Sequence, residues 1–175
     1  MSDFPGLNPV MPTRISIDSA YSAGGPAIGF SLGVGTGTWP TANLAIFLPL
    51  SLPSPFRVLS GWWINGGTVA GNVDVGVYGL DGSLIVSAGS TAQSGTNVPQ
   101  SATLAETLLS PGAYYLAMSA SSTSAIFQRH SYTNGQQAYG TLQAASQLPL
   151  ATLPTFATPA NSYQPIFGIA SVTSI

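Results

Sequence analysis

The sequence contains no cysteine and no lysine. The first absence excludes disulfides, thiolate metal ligands and a cysteine nucleophile. The second leaves positive charge to Arg14, Arg57 and Arg129, facing Asp3, Asp18, Asp74, Asp81 and Glu106. Charged residues make up 5% of the chain, whereas an ordinary soluble domain carries roughly a quarter. A formal balance of −2 offers no basic stripe to neutralise phosphates, which argues against a nucleic-acid partner. The longest apolar stretch, residues 44–56, is interrupted by Pro49, Pro53 and Pro55. It falls short of the ~18 unbroken residues of a membrane span. His130 is the only histidine, and zinc needs three or four ligands, so no zinc site is expected. Residues 1–9 place an acid and two prolines where a secretory signal needs a basic region and an apolar helix, so no signal peptide is expected. A surface this poor in charge repels its neighbours weakly, which favours close packing against other subunits.

What is present is strand grammar. From Asn72 to Tyr78, Val73, Val75 and Val77 fall on one face and Asn72, Asp74 and Tyr78 on the other, the period of a half-buried strand. Gly79-Leu80-Asp81-Gly82 supplies a hairpin turn, and Ser83 to Ser87 returns with Leu84 and Val86 facing one way. Ser110-Pro111-Gly112 marks a second turn before a strand from Ala113 to Met118. The pattern predicts an all-β fold, an antiparallel β-sandwich of jelly-roll-like form, in one domain spanning residues 13–175. Further strands are expected at 13–18, around 27–34, at 43–48, 56–65, 102–109, 125–130 and 166–172, with a polar loop over 90–100. The glycines at 33, 35 and 37 are not a dinucleotide fingerprint, since Thr38 stands where its third glycine would. The run from Phe56 to Asn65 carries apolar residues on both faces, as a central strand or a covered edge does.

Two segments lack this alternation. Residues 1–12 hold three prolines and read as an extended N-terminal arm. Residues 133–164 set Pro149, Pro154 and Pro159 among Leu148, Leu150, Leu153 and Phe156. That segment is too apolar to be left in water and reads as a long ordered loop lying on its own domain or on a neighbouring subunit, with packing across a neighbouring subunit expected. Phe4, Leu7 and Met11 in the first, and Leu150, Leu153 and Phe156 in the second, are the expected contacts with partners.

The runs Val73-Asp74-Val75-Gly76-Val77-Tyr78, Asp81-Gly82 and Leu109-Ser110-Pro111-Gly112-Ala113-Tyr114-Tyr115-Leu116 together resemble a widespread β-sandwich pattern. It is similar to the bacterial pre-peptidase C-terminal domains and to sandwich domains of tailed-phage virion proteins. The resemblance covers about a quarter of the chain and concerns strands and turns. It implies a non-enzymatic bacteriophage virion protein on the particle surface: a capsid decoration or head-fibre component, or a tail-associated one. Its expected partners are itself, as a homotrimer, and other virion proteins such as the major capsid or tail protein.

Catalysis finds little footing. His130 has no Gly-x-Ser-x-Gly elbow to serve and reads as structural or solvated. Calcium would take carboxylates and carbonyls. Asp74 and Asp81 belong to no calcium loop, and they read as a solvent-facing side chain and a turn cap respectively. No spacing among the acids suggests glycoside hydrolysis. No enzyme activity and no cofactor are therefore expected. The aromatics are stronger candidates, because sugar C–H faces pack on rings. Trp39, Tyr132 and Tyr139 are the candidate glycan contacts, with Tyr21, Tyr115 and Tyr163 as further rings. This sustains an alternative function as a carbohydrate-binding module that attaches to host-surface glycans. Of the adjacent Trp62 and Trp63, one must point inward, and Trp63 is expected outward as a contact residue.

Overall fold

The alternating valines of residues 72–78 form the middle of the molecule because each one buries completely. In a computed structural model describing residues 34–130, 141–160 and 163–172, Val73, Val75 and Val77 are fully inaccessible. The described residues form strands and no helix: β1 (Val34–Thr38), β2 (Leu44–Leu52), β3 (Phe56–Ile64), β4 (Asn72–Tyr78), β5 (Leu84–Ser87), β6 (Thr91–Ala92), β7 (Pro99–Leu109), β8 (Gly112–Ala120), β9 (Ile126–His130), β10 (Leu142–Ala144), β11 (Gln164–Pro165) and β12 (Phe167–Ala170). Every pairing is antiparallel.

One sheet runs β10-β2-β8-β4-β5, with β6 also paired to β4. The facing layer consists of β12-β3-β7 and β1-β9-β11. The last run of the chain ties these two together, since β11 pairs with β9 and β12 with β3, and a single bridge joins Asn65 to Phe127. The layers share one apolar core: Leu48, Val75 and Met118 from the first meet Trp63, Phe127 and Ile169 from the second. This is a sandwich-like all-β arrangement with alternate residues directed inward. At Gly61 the β3 backbone lies close against the opposite layer, and a Cβ there would stand 2.8 Å from Val75 Cγ1. Only a residue without a side chain fits there.

The strand from Phe56 is central, between β12 and β7, which explains its two apolar faces. Its inward residues join the main core, while Trp62 and Ile64 pack on the other side with Ile166 and Ala170. Those apolar residues are therefore buried within the chain rather than left over for a neighbouring subunit. The register slips between Val58 and Ser60, opposite Thr107 and Thr103, so a bulge separates the two halves of the β3–β7 ladder. The expected polar loop over 90–100 contains the short strand β6, and β7 begins at Pro99.

Residues 141–160 belong to the long ordered loop expected over residues 133–164. They form β10 and then lie as a strap across the outer face of the β2–β8–β4 sheet of their own chain. Leu150 is buried there with Ala45, Phe47, Tyr78 and Ala117, and Phe156 is half-buried against the same cluster. Phe47 meets Tyr78 and Phe156 edge-on, with ring centroids 5.1 and 5.0 Å apart. The described part of the long loop thus packs on its own sheet. The arm at residues 1–12 and the strand expected at 13–18 lie outside the described residues, as does most of that expected around 27–34.

Candidate functional site

The strap rests on the outward side chains of β4. The sequence predicts a solvent-facing Asp74, but Asp74 and Tyr78 are both fully inaccessible. They grip consecutive residues of the strap. The Leu150 amide donates to Asp74 Oδ2 at 2.9 Å, and the Tyr78 hydroxyl donates to the Ala151 carbonyl at 2.9 Å. Period-two spacing puts residues 74 and 78 on the same face, so one strand presents an acceptor and a donor to a peptide crossing it. Further along, the Leu153 amide donates to the Gly82 carbonyl and the Leu84 amide to Thr152 Oγ1. At the other end, Gln143 and Ala157 exchange two backbone hydrogen bonds, and the Gln147 amide donates to Asn43 O.

Asp74 is a charged group in an apolar setting. Its Oδ1 has no hydrogen-bond partner, and neither has the buried hydroxyl of Ser119, its direct cross-strand neighbour on β8. Burial pushes the carboxyl above its ordinary value of 3.8, and nearby donors oppose the shift, the Leu150 amide first and Ser87, Gly89 and Ala88 after it. The Ala88 and Gly89 amides are themselves committed to Val75 O and Ser87 Oγ, so burial dominates. The Tyr78 hydroxyl is also held protonated far into alkali by burial and by the Asp74 charge.

Asp81 behaves as its sequence suggests. Its Oδ1 accepts from the Ser83 amide and hydroxyl at 2.9 and 2.6 Å, capping the β4–β5 turn, and these bonds hold its carboxyl below the usual range. Beside this turn stand two exposed leucines, Leu80 and Leu153, 60% and 70% accessible. Leu153 has φ 53°, a left-handed conformation that leucine seldom adopts. Its amide bond to Gly82 holds it there.

The aromatic candidates are placed differently from expectation. Trp63 points inward and is fully buried, its indole N–H donating to Asn65 Oδ1 at 2.9 Å. Trp62 takes the other face and is equally inaccessible; its ring lies over Gly168, and its N–H has no partner. Trp39 is 1% exposed, so it is no surface platform for a sugar; it packs edge-on against Phe127 and Tyr163, each 5.4 Å away. Tyr163 is buried as well, and its hydroxyl donates to Gly37 O. Arg129 lies over the Tyr163 ring, 5.5 Å from its centroid. Tyr115 is half-buried beside Phe156. Of the proposed partner contacts, only Leu153 is freely exposed among the described residues, because Leu150 is 5% accessible. Phe4, Leu7, Met11, Tyr21, Tyr132 and Tyr139 lie outside the described residues.

His130 ends β9, its backbone paired with Val34 and Gln164. Among the described residues, no three His, Asp or Glu side chains come together as a metal cluster, and no helix is long and apolar enough to cross a membrane. Comparison of the chain with protein-family models, with curated proteins and with solved structures finds no match.

Proposed function

We propose that this chain is a non-enzymatic structural protein of a bacteriophage virion, displayed on the particle surface as a capsid decoration, head-fibre or tail-associated component. The observation that carries this reading is the pairing of a nearly uncharged chain with an apolar knob at one sandwich end. Charged residues are 5% of the sequence, while Leu80 and Leu153 stand more than half exposed at the β4–β5 turn. These leucines are apolar surface available for contact, and Leu153 is held there in a left-handed conformation that costs backbone strain. The partners proposed are further copies of the chain, as a homotrimer, and a major capsid or tail protein. The N-terminal arm, through Phe4, Leu7 and Met11, is the proposed attachment to the particle.

The test is co-purification. The full chain is expected to travel with particles at a fixed copy number, and a chain lacking residues 2–12 to stay folded but fail to attach. Normal attachment of the truncated chain would remove the arm from the proposal. Absence of the full chain from purified particles would remove the virion reading itself. Carbohydrate binding is the weaker reading, since Trp39, one of its candidate rings, is buried.

A further inference from the structure

We propose that residues 141–160 form a proton-operated strap, which closes on the β2–β8–β4 sheet when Asp74 takes up a proton and loosens as that proton is lost. The geometry at Asp74 carries the idea. Its carboxylate lies wholly inside the protein beneath the strap, and Oδ2 holds the strap through the Leu150 amide. Oδ1 holds nothing, and the hydroxyl of Ser119 directly opposite is equally without a partner. An ionised carboxylate with one bare oxygen is costly in such a place. A proton from solvent on Oδ1 removes the charge and makes that oxygen a donor toward the hydroxyls of Ser119 and Ser87, while Oδ2 continues to accept from Leu150. No covalent bond between heavy atoms changes.

Few other groups compete for control. The titratable side chains on the elements packed around Asp74 are Tyr78 on β4 and Tyr114 and Tyr115 on β8. Neither β5, β2 nor the strap carries an ionisable side chain. Asp81 lies at the exposed end of the hairpin. The sign follows from burial. The closed state binds the proton more tightly than the open state, where the carboxyl titrates near its ordinary 3.8. Closure is therefore favoured below that value, and the advantage fades as pH rises through the raised one. Opening uncovers Phe47, Tyr78 and Ala117, the apolar face that the strap seals.

Hydrogen exchange on the full chain tests this, with β8 amides as the internal reference and rates corrected for intrinsic exchange. Protection of residues 150–153 is expected to fall over a pH interval that starts at 3.8 and extends upward, by no more than about tenfold per unit, the limit for one proton. Asp74→Asn keeps an acceptor for Leu150 and places an N–H where the proton sat. Its strap should stay protected across the whole interval. A flat profile in the unaltered chain, or an Asp74→Asn profile that falls in parallel with it, would overturn the proposal. Carbon NMR of the Asp74 carboxyl in the unaltered chain decides the matter without any variant. Titration above 3.8 supports the strap, and titration at or below that value rules it out.

Discussion

Asn65 does more than any other single side chain to hold one end of the sandwich. Its Oδ1 accepts from the Trp63 indole and from Gln93 Nε2, while its Nδ2 donates toward Ser94 O, Gly95 O and Gln100 Oε1. Gln93 in turn accepts from the Ala70 amide, and Gln100 reaches the Ala92 carbonyl. The exposed loop at residues 94–98 is thus pinned from below. Asn65→Ala removes the acceptor of two buried donors, on Trp63 and Gln93, of which Gln93 Nε2 keeps only its longer bond to Ile126 O at 3.3 Å. At roughly 1–3 kcal/mol each, we expect at least about 2 kcal/mol of lost stability in denaturant unfolding. A loss below about 0.5 kcal/mol would show the network to be dispensable. Gly168→Ala is a second test. The added Cβ would stand 2.8 Å from Trp62 Cζ2, and the indole is walled in. Overpacking of this kind costs about 1–3 kcal/mol; an unchanged melting temperature would mean that the indole moves freely. The tryptophan pair also shows how far sequence can reach. Adjacency on a strand requires opposite faces, and the structure has them. Which face is interior depends on β12 pairing with β3, and a core tryptophan next to Asn65 has no local signature that distinguishes it from an exposed one.

The strap accounts for most of the difference between what the chain suggests and what it builds. Strand periodicity was readable wherever alternation met a turn signal, as in β4, β5, β7 and β8. The outer faces were not, because the rule that polar positions meet solvent fails when another segment lies on top. Asp74 and Tyr78 are polar because they bind that segment's backbone, not because they are wet. Pro149, Pro154 and Pro159 prevent the strap from continuing as a regular ladder strand, so side chains must supply part of its anchorage. Within it, Leu150 and Leu153 look alike in sequence and differ completely in place, 5% and 70% exposed. Leu150→Ala should cost about 2–5 kcal/mol, whereas Leu153→Ala should stay within about 0.5 kcal/mol. Paired urea titrations check this contrast, and equal effects would mean that the strap does not seal the sheet.

Scarcity of charge shapes what contacts the whole molecule can make. Among the described residues, the ion pair formed is Arg57 with Glu106 at 2.8 Å, both well exposed, and Asp74 is inside. An interface made by this surface therefore depends on apolar contact and backbone hydrogen bonds, with little electrostatic steering. That makes its response to salt diagnostic. At 1 M salt, charges are screened within about 3 Å, so an interface held by ion pairs would weaken steeply. The proposed attachment should persist there, because apolar burial does not depend on screening. Leu80 and Leu153, beside one turn, are exposed apolar residues able to make such a contact, and Leu108 on β7 is as exposed. Replacing Leu80 and Leu153 with Asp adds charge to the exposed turn without touching the core, so melting should shift little. Incorporation into particles, or self-association by mass measurement, should fall at least about tenfold if the knob is part of the interface, since desolvating a charge there costs well over 1.4 kcal/mol. Undiminished association of the double variant would place the contact elsewhere, on the arm or on another face of the sandwich. Dissociation of the unaltered assembly by salt alone would show that the few charges, and not the leucines, hold it together.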